Sequence, residues 1–305
     1  SNSALELATG NIVVFLDQDD SLHPHALFYI VEAFMQQPDV GMIYSDEDML
    51  DAAGQRVNPF FKPAWSPHLL YQQCYVGHLL AMRRSLLNQV GGFREGYEGA
   101  QDYDLVLRVS ASARVAHLPR VLYHWCQHPH STSLSAEAKP YAYEAGRRAL
   151  EDALKRRYGE RFLRIEDGAY PFTYRPRFKL PADLRISIII PTRDRVDLLK
   201  PCIDSILERS SFTNFEVLVL DNNSREPETA QYLIDLAHHD PRLRVMQAPI
   251  PFNWSRLNNL GARETKGEIL VFLNNDTTVI SPDWLERLSE YALLPEVLLA
   301  TGRTR

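Results

Sequence analysis

Ala8-Thr9-Gly10-Asn11-Ile12-Val13-Val14-Phe15-Leu16-Asp17-Gln18-Asp19-Asp20 is echoed, far along the chain, by Thr265-Lys266-Gly267-Glu268-Ile269-Leu270-Val271-Phe272-Leu273-Asn274-Asn275-Asp276-Thr277. The echo continues on both sides. Asn2 matches Asn259, Pro24-His25-Ala26-Leu27 resembles Pro282-Asp283-Trp284-Leu285, and Pro38-Asp39-Val40 resembles Pro295-Glu296-Val297. Chance similarity of two buried strands would explain the shared Val-Phe-Leu but not the flanking Gly, Asn and Asp. Copies this far apart are too widely spaced for a solenoid and suit the duplication of one α/β domain.

Outward from the second copy, the chain alternates strands and helices. Ile186–Ile190 is an apolar run broken only by Ser187, the mark of a parallel strand buried on both faces. Leu198, Leu199, Cys202, Ile203 and Ile206 follow at helical spacing, and a second strand over Phe215–Leu220 ends in the turn-forming Asp221-Asn222-Asn223-Ser224. A helix through Thr229–Ala237, a strand at Leu243–Met246, a helix after Ser255 and the strand Glu268–Leu273 complete the pattern. This order predicts a doubly wound sheet with ligands beyond the carboxyl ends of its strands.

Around the first copy, the strand Asn11–Leu16 precedes a helix from Pro24 to Met35 and a strand at Gly41–Tyr44. Residues 54–75, rich in proline and aromatics, read as an irregular loop. A strand near His78–Met82, a helix from about Ala100, a strand near Val115–Leu118 and an amphipathic helix over Tyr141–Arg157 follow. Residues 160–181 alternate as a hairpin would. The division expected is 1–158, a linker hairpin at 159–185, and 186–305. The chain opens at Ser1 without Met and stops at Arg305 soon after a helical pattern, as a fragment cut at both ends would.

Composition narrows the class. The 305 residues are 45% hydrophobic, ample for a buried core, and a net charge of −6 argues against a nucleic-acid binder. No apolar run reaches the roughly 18 residues that span a bilayer, and no signal peptide opens the chain. Cys74, Cys126 and Cys202 are odd in number and far apart. They read as small, buried or half-buried reduced thiols of a cytoplasmic protein.

Four short motifs carry chemistry: Phe15-Leu16-Asp17-Gln18-Asp19-Asp20, Gly99-Ala100-Gln101-Asp102-Tyr103-Asp104, Ser187-Ile188-Ile189-Ile190-Pro191-Thr192-Arg193-Asp194-Arg195, and Val219-Leu220-Asp221-Asn222-Asn223-Ser224. Together they resemble the inverting family 2 glycosyltransferases with a GT-A fold, and in particular the tandem-domain members that build bacterial surface polysaccharides. The resemblance implies two partial GT-A copies, Rossmann-like doubly wound mixed sheets. The acceptor and metal-site part of the first precedes the nucleotide-binding part of the second. Such halves are complementary enough to dock as one permuted domain, with Asp221 and Asp102 facing one cleft. The two repeated strands would then compete for a single slot.

Asp17 and Asp19 match the family's D-x-D motif. Two carboxylates at the end of a buried strand can hold a hard cation, Mg2+ or Mn2+, that bridges the diphosphate of a nucleotide-sugar donor. The plain alternative is a solvated acidic turn. In the second copy, Asn274-Asn275-Asp276 leaves Asp276 as the matching ligand, and the amide that replaces the first carboxylate brings no charge. Asp102 matches the general base, with Gln101 where an acidic residue is usual. A carboxylate at an apolar helix start is suited to the role because burial raises its pKa. A helix cap for Asp102, and a salt bridge from Asp104 to Arg108, are the structural alternatives. His128 fits a metal- or diphosphate-contacting histidine, with His124 and His130 as rivals. By the same resemblance Pro191, Thr192, Arg193 and Asp221 cradle the nucleotide, and Arg256 and Asn259 open a helix beside the diphosphate. Asp46-Glu47-Asp48 and Trp65 read either as lining the acceptor cleft or as an acidic loop and a packed loop residue.

The resemblance thus implies transfer of a sugar to a glycan or lipid-linked glycan, in the cytoplasm or at the inner face of the membrane, with peripheral membrane association of the parent protein. Two other readings stay open. A nucleotidyltransferase would want a glycine-rich loop where Pro191–Arg195 has none. A non-catalytic sugar-nucleotide or glycan-binding module suits Asn274, whereas Asp17, Asp19 and Asp102 speak against it for the first copy.

Overall fold

The computed structural model describes residues 2–126, 140–297 and 299–300. The chain divides into two compact units, Ser1–Arg177 and Phe178–Arg305.

In the second unit, β9 (Ile186–Thr192), α7 (Val196–Arg209), β10 (Phe215–Asp221), α8 (Pro227–His239), β11 (Leu243–Gln247), α9 (Trp254–Glu264), β12 (Ile269–Phe272) and α10 (Trp284–Ala292) follow one another. The four strands form a parallel sheet in the order β11-β10-β9-β12. The apolar run of β9 is divided by the two-residue period of a strand. Ile186, Ile188 and Ile190 pack with α7, α8 and α10 residues such as Ile203, Leu233 and Leu285. Ile189 faces the other way with Leu218, Leu220 and Leu257 of α9. Both faces are covered, so β9 and β10 need no polar alternation, and each fully buried Ile or Leu adds roughly 1.5–3 kcal/mol.

The first unit opens with α1 (Asn2–Leu7), β1 (Ile12–Phe15), β2 (Ser21–Leu22), α2 (Ala26–Gln36), β3 (Val40–Leu50), β4 (Arg56–Phe60) and α3 (Pro67–Leu70). It continues through β5 (Leu80–Arg83), α4 (Arg84–Val90), α5 (Gln101–Ser110), β6 (Arg114–Cys126) and α6 (Pro140–Tyr158) to β7 (Phe162–Asp167) and β8 (Tyr174–Phe178). Its main sheet is mixed. The strand order is β1-β5-β3-β6-β2, with β4 on β3; β3 and β6 run parallel and the other pairs antiparallel. β7 and β8 pair with each other and pack within this unit, Tyr174 stacking on Tyr143 at 5.1 Å and on Tyr103 at 6.1 Å.

Three local readings change. The strand expected at Gly41–Tyr44 runs on to Leu50, so Asp46-Glu47-Asp48 is strand, not loop. It tolerates charge there because each carboxylate is paired: Asp46 with His117 at 2.8 Å, Glu47 with Lys62 at 2.8 Å, and Asp48 with His124 and Arg56 at 2.5 Å. Residues 54–75 contain β4 and α3 in place of a continuous loop, and Ser66 caps α3 by accepting the Leu69 N–H. Cys202 is buried and Cys126 half-buried, but Cys74 is exposed. Among the described residues no helix is long and apolar enough to cross a membrane.

Candidate active site

β1 delivers the acidic turn Asp17–Asp20 at its carboxyl end, and the turn's four residues are used differently. Asp20 is spent on structure. Its Oδ1 accepts the Cys126 N–H at 2.9 Å and its Oδ2 accepts the Tyr123 hydroxyl at 2.5 Å, clamping the turn to the end of β6. The Tyr123 oxygen in turn accepts the Asp17 N–H at 3.3 Å. Burial, reinforced by the Asp20 carboxylate, pushes the Tyr123 hydroxyl far up, so it serves only as a neutral donor. Asp17 and Asp19 are left exposed, Asp17 with 66% of its side chain open to solvent.

Asp102 occupies the first turn of α5. Ala100 is the N-cap residue and no side chain caps this helix, so the capping alternative for Asp102 does not hold. Gln101, in the place where an acid was expected, turns back to accept the Gly99 N–H at 2.8 Å. Asp104 makes the ion pair foreseen with Arg108, at 2.8 Å, and a second with Arg94, which leaves Asp102 as the uncommitted carboxylate of the motif. Burial raises the Asp102 pKa; His78 opposes that shift and Asp17 adds to it. Asp102, His78 and Asp17 therefore sense one another across one end of the mixed sheet. His78 is a residue that sequence reasoning passed over as the start of a strand. Its Nε2 lies 3.9 Å from Asp17 Oδ2. The available signal was a lone histidine after Gly77, immediately ahead of an apolar strand.

Among the other histidines, His124 is buried against Asp48, so it is not open to a ligand. His128 and His130 lie outside the described residues. Trp65 packs beside Tyr44 and Tyr75, with ring centroids 6.4 and 6.3 Å away. Among the described residues, no three His, Cys, Asp or Glu side chains converge as a ready metal cage.

In the second unit the expected nucleotide residues gather at the carboxyl ends of the parallel strands. The strand order reverses between β9 and β12, the point where an open α/β sheet leaves a crevice. There the Asn275 side chain donates to Thr192 Oγ1 at 3.0 Å. Pro191 is half-buried, Arg193 exposed, and Asp276 exposed beyond β12. Asp221 is buried and accepts the Ser224 N–H at 2.9 Å, which folds the turn after β10. Asn222 is no loose turn residue. Its amide donates to the carbonyls of Ala248 and Ile250 at 2.8 and 2.7 Å. Asp194 accepts the Arg225 and Glu226 N–H groups at 2.5 and 2.9 Å, stapling the loop after β9 to the loop after β10. Those backbone bonds, the Glu226 one first, hold its carboxyl below the usual range. Asn253 caps α9 by accepting the Arg256 N–H at 2.9 Å, while Asn259 sits exposed inside the helix and does not open it.

The model of Glycosyl transferase family 2 matches residues 1–91 and 187–305, and each matched segment holds one copy of the repeat. The chain belongs to glycosyl transferase family 2. It is 42% identical over 300 residues to uncharacterized protein y4gI of Sinorhizobium fredii (strain NBRC 101917 / NGR234), covering 97% of this chain and 33% of that protein. It is also 42% identical over 298 residues to O-antigen biosynthesis protein RfbC of Myxococcus xanthus, covering 97% of this chain and 23% of that one. The chain thus spans a third or less of the length of these relatives. A solved structure similar to part of it is mannosyltransferase PcManGT from Pyrobaculum calidifontis in complex with GDP-Man and Mn2+. That match has 22% identity, 38% of this chain and 37% of that chain covered, and a TM-score of 0.34.

Proposed function

We propose that the protein containing this chain transfers a sugar from a nucleoside diphosphate sugar to a growing glycan, with inversion at the anomeric carbon. The observation that carries this reading is the half-buried, uncommitted Asp102 carboxylate in electrostatic contact with Asp17, one of two exposed carboxylates after β1. Burial lifts the Asp102 pKa toward the working pH, where a carboxylate can take a proton and still be ionised beforehand. In this role Asp102 accepts the acceptor hydroxyl's proton as that oxygen bonds to the anomeric carbon. The bond to the diphosphate oxygen breaks on the opposite face, and the proton remains on Asp102.

Asp17 and Asp19 are exposed oxygen donors, with Asp20 diverted to hold their turn in place, and this set suits a hard divalent cation. Mg2+ or Mn2+ bound there would neutralise negative charge on the departing nucleoside diphosphate. His128 is the third ligand proposed, and Asp276 is the counterpart in the second unit. In that unit Pro191, Thr192, Arg193 and Asp221 would cradle a nucleotide at the strand ends, with Arg256 and Asn259 toward its diphosphate. The name of the Myxococcus relative suggests a bacterial surface polysaccharide as the product. A lipid-linked glycan acceptor would place the parent protein at the cytoplasmic face of the membrane as a peripheral protein.

Asp102→Asn in the full-length parent protein tests the reading. Assayed with a panel of nucleotide sugars, turnover should fall about 10²- to 10⁴-fold, the usual share of a general base. Donor binding should be nearly unchanged, since the base touches the acceptor. A variant with near-normal turnover would overturn the assignment.

A further inference from the structure

The turn ahead of β5 is held by a buried ion pair. The Lys62 side chain is fully buried, and its ammonium donates to Glu47 Oε2 at 2.8 Å, to the Val76 carbonyl at 2.7 Å and to the His78 carbonyl. Glu47 Oε2 also accepts the His78 N–H at 2.8 Å. Gly77 lies between them at φ +44°, where a Cβ would come within 2.8 Å of that same oxygen. Burying two charges is costly unless their hydrogen bonds are complete, and these charges fix both peptide groups of one residue. That residue is His78. Its ring is fixed as well, stacked on Tyr123 at 4.7 Å and tilted against Trp125 at 5.6 Å. Neither contact occupies Nε2, which faces Asp17 Oδ2 at 3.9 Å.

That separation is too long for a hydrogen bond. It does fall within the span open to two donor atoms on one cation, and the exposed Asp17 side chain can adjust its angle. Metal–ligand bonds of about 2.1 Å place a pair of ligands between about 3.0 Å apart at a right angle and about 4.2 Å apart in line. Imidazole nitrogen favours first-row transition ions, whereas Mg2+ prefers oxygen. We infer that His78 Nε2 and Asp17 form a preset two-ligand seat that gives the first site a preference for Mn2+ over Mg2+, with the remaining positions left to other oxygen donors. The inference rests on the reading of Asp17 as a cation ligand, and it adds a nitrogen ligand that the sequence motif does not contain.

The test is titration of this chain with Mn2+ alone, followed by electron paramagnetic resonance, with pulsed detection of nitrogen coupled to the bound ion. The expected result is nitrogen coupling that disappears in His78→Gln, with Mn2+ affinity falling at least about tenfold and Mg2+ affinity changing less than about twofold. Should His78→Gln fold poorly, His78→Ala with added imidazole serves instead, and the coupling should return with the imidazole. Coupling that persists in His78→Gln and vanishes in His128→Gln overturns the inference and leaves the metal reading standing. Bound Mn2+ without nitrogen coupling does the same. Mn2+ binding indifferent to both His78→Gln and Asp17→Asn, or no Mn2+ uptake at all, overturns both.

Discussion

The two copies of the repeat share a strand but not a neighbour. Ile12–Phe15 pairs antiparallel with β5, Ile12 opposite Arg83, whereas Ile269–Phe272 pairs parallel with β9, Ile269 opposite Ile186. They also use opposite edges. In the first copy the Arg84 N–H donates to the Asn11 carbonyl at 2.9 Å, so Asn11, Val13 and Phe15 turn their backbone groups toward β5. In the second, the Leu273 N–H donates to the Ile189 carbonyl at 3.0 Å, so Ile269, Val271 and Leu273 face β9. Aligned, these are the alternate residues. One repeated sequence therefore serves two edges, and its apolar pattern specifies a strand without specifying which edge is paired. Each strand lies at the end of its sheet among the described residues, with one row of N–H and C=O groups outside the ladder.

Hydrogen exchange gives the largest expected contrast. In β1 the amides of Val13 and Phe15 should exchange about 10³-fold more slowly than those of Ile12 and Val14, as ladder opening demands several kcal/mol. In β12 the alternation shifts by one residue, with Val271 and Leu273 slow and Leu270 and Phe272 fast. Uniform exchange along either strand would break the comparison. Repeating the measurement on the longer parent protein would sharpen it. Slowing of Ile12 and Val14 there would reveal another strand added to the open edge of β1.

A second difference between the copies lies in the turn after the strand, where Asp17 stands against Asn274. Asp17→Asn should weaken divalent-cation-dependent donor binding about tenfold or more, since a lost charge-assisted contact is worth about 1.5–3 kcal/mol. The reverse exchange, Asn274→Asp, should strengthen cation binding by the second unit. Calorimetry with Mn2+, in the presence and absence of excess chelator, reads both. Equal affinities before and after the exchanges would mean that this charge does not distinguish the sites.

Asp102 has a stability signature separate from the catalytic role proposed for it. Its pKa is raised by burial, so its contribution to folding is most favourable at low pH and declines as pH rises through the folded-state value. Asp102→Asn removes the ionisation penalty. The variant should therefore melt at or above the parent temperature at pH 7, with the gain vanishing below about pH 4, where aspartate is protonated even when unfolded. A variant that melts well below the parent at pH 7 would point to a structural role.

Much of the second unit was legible because its central strands, β9 and β10, are buried on both faces. A run such as Ile186–Ile190 has one plausible place in an α/β layer, and the alternation that followed predicted the order of elements. The first unit yielded less. Charged residues at Asp46, Glu47 and Asp48 hid the continuation of β3, because their partners His117, Lys62, His124 and Arg56 are distant in sequence. At the site, Asp17, Asp19 and Asp102 stood out by residue type and spacing. His78 did not, since its setting depends on a glycine turn and a buried Lys62–Glu47 pair that no local pattern announces. Asp20 and Asp194 stand in the same short motifs and prove to be clamps, Asp20 through both carboxylate oxygens and Asp194 through Oδ1.

The smallest effect expected comes from Gln101, which precedes Asp102, the base proposed above. The Gln101 side-chain oxygen already accepts the Gly99 N–H at 2.8 Å, and a carboxylate of the same length can keep that bond. Gln101→Glu thus leaves the turn intact. At the start of α5 the added charge is also favoured by the helix dipole, by about 0.3–1 kcal/mol. Its cost falls on Asp102, which already loses ground to burial and to the Asp17 charge. A further negative neighbour favours the protonated acid, so the limb of the pH–rate profile that reports Asp102 ionisation should move to higher pH. Turnover well above that limb should change by no more than a few-fold, because the Asp102 carboxylate remains in place. A profile that moves to lower pH would show that the residue at this position does not act on Asp102 through its charge.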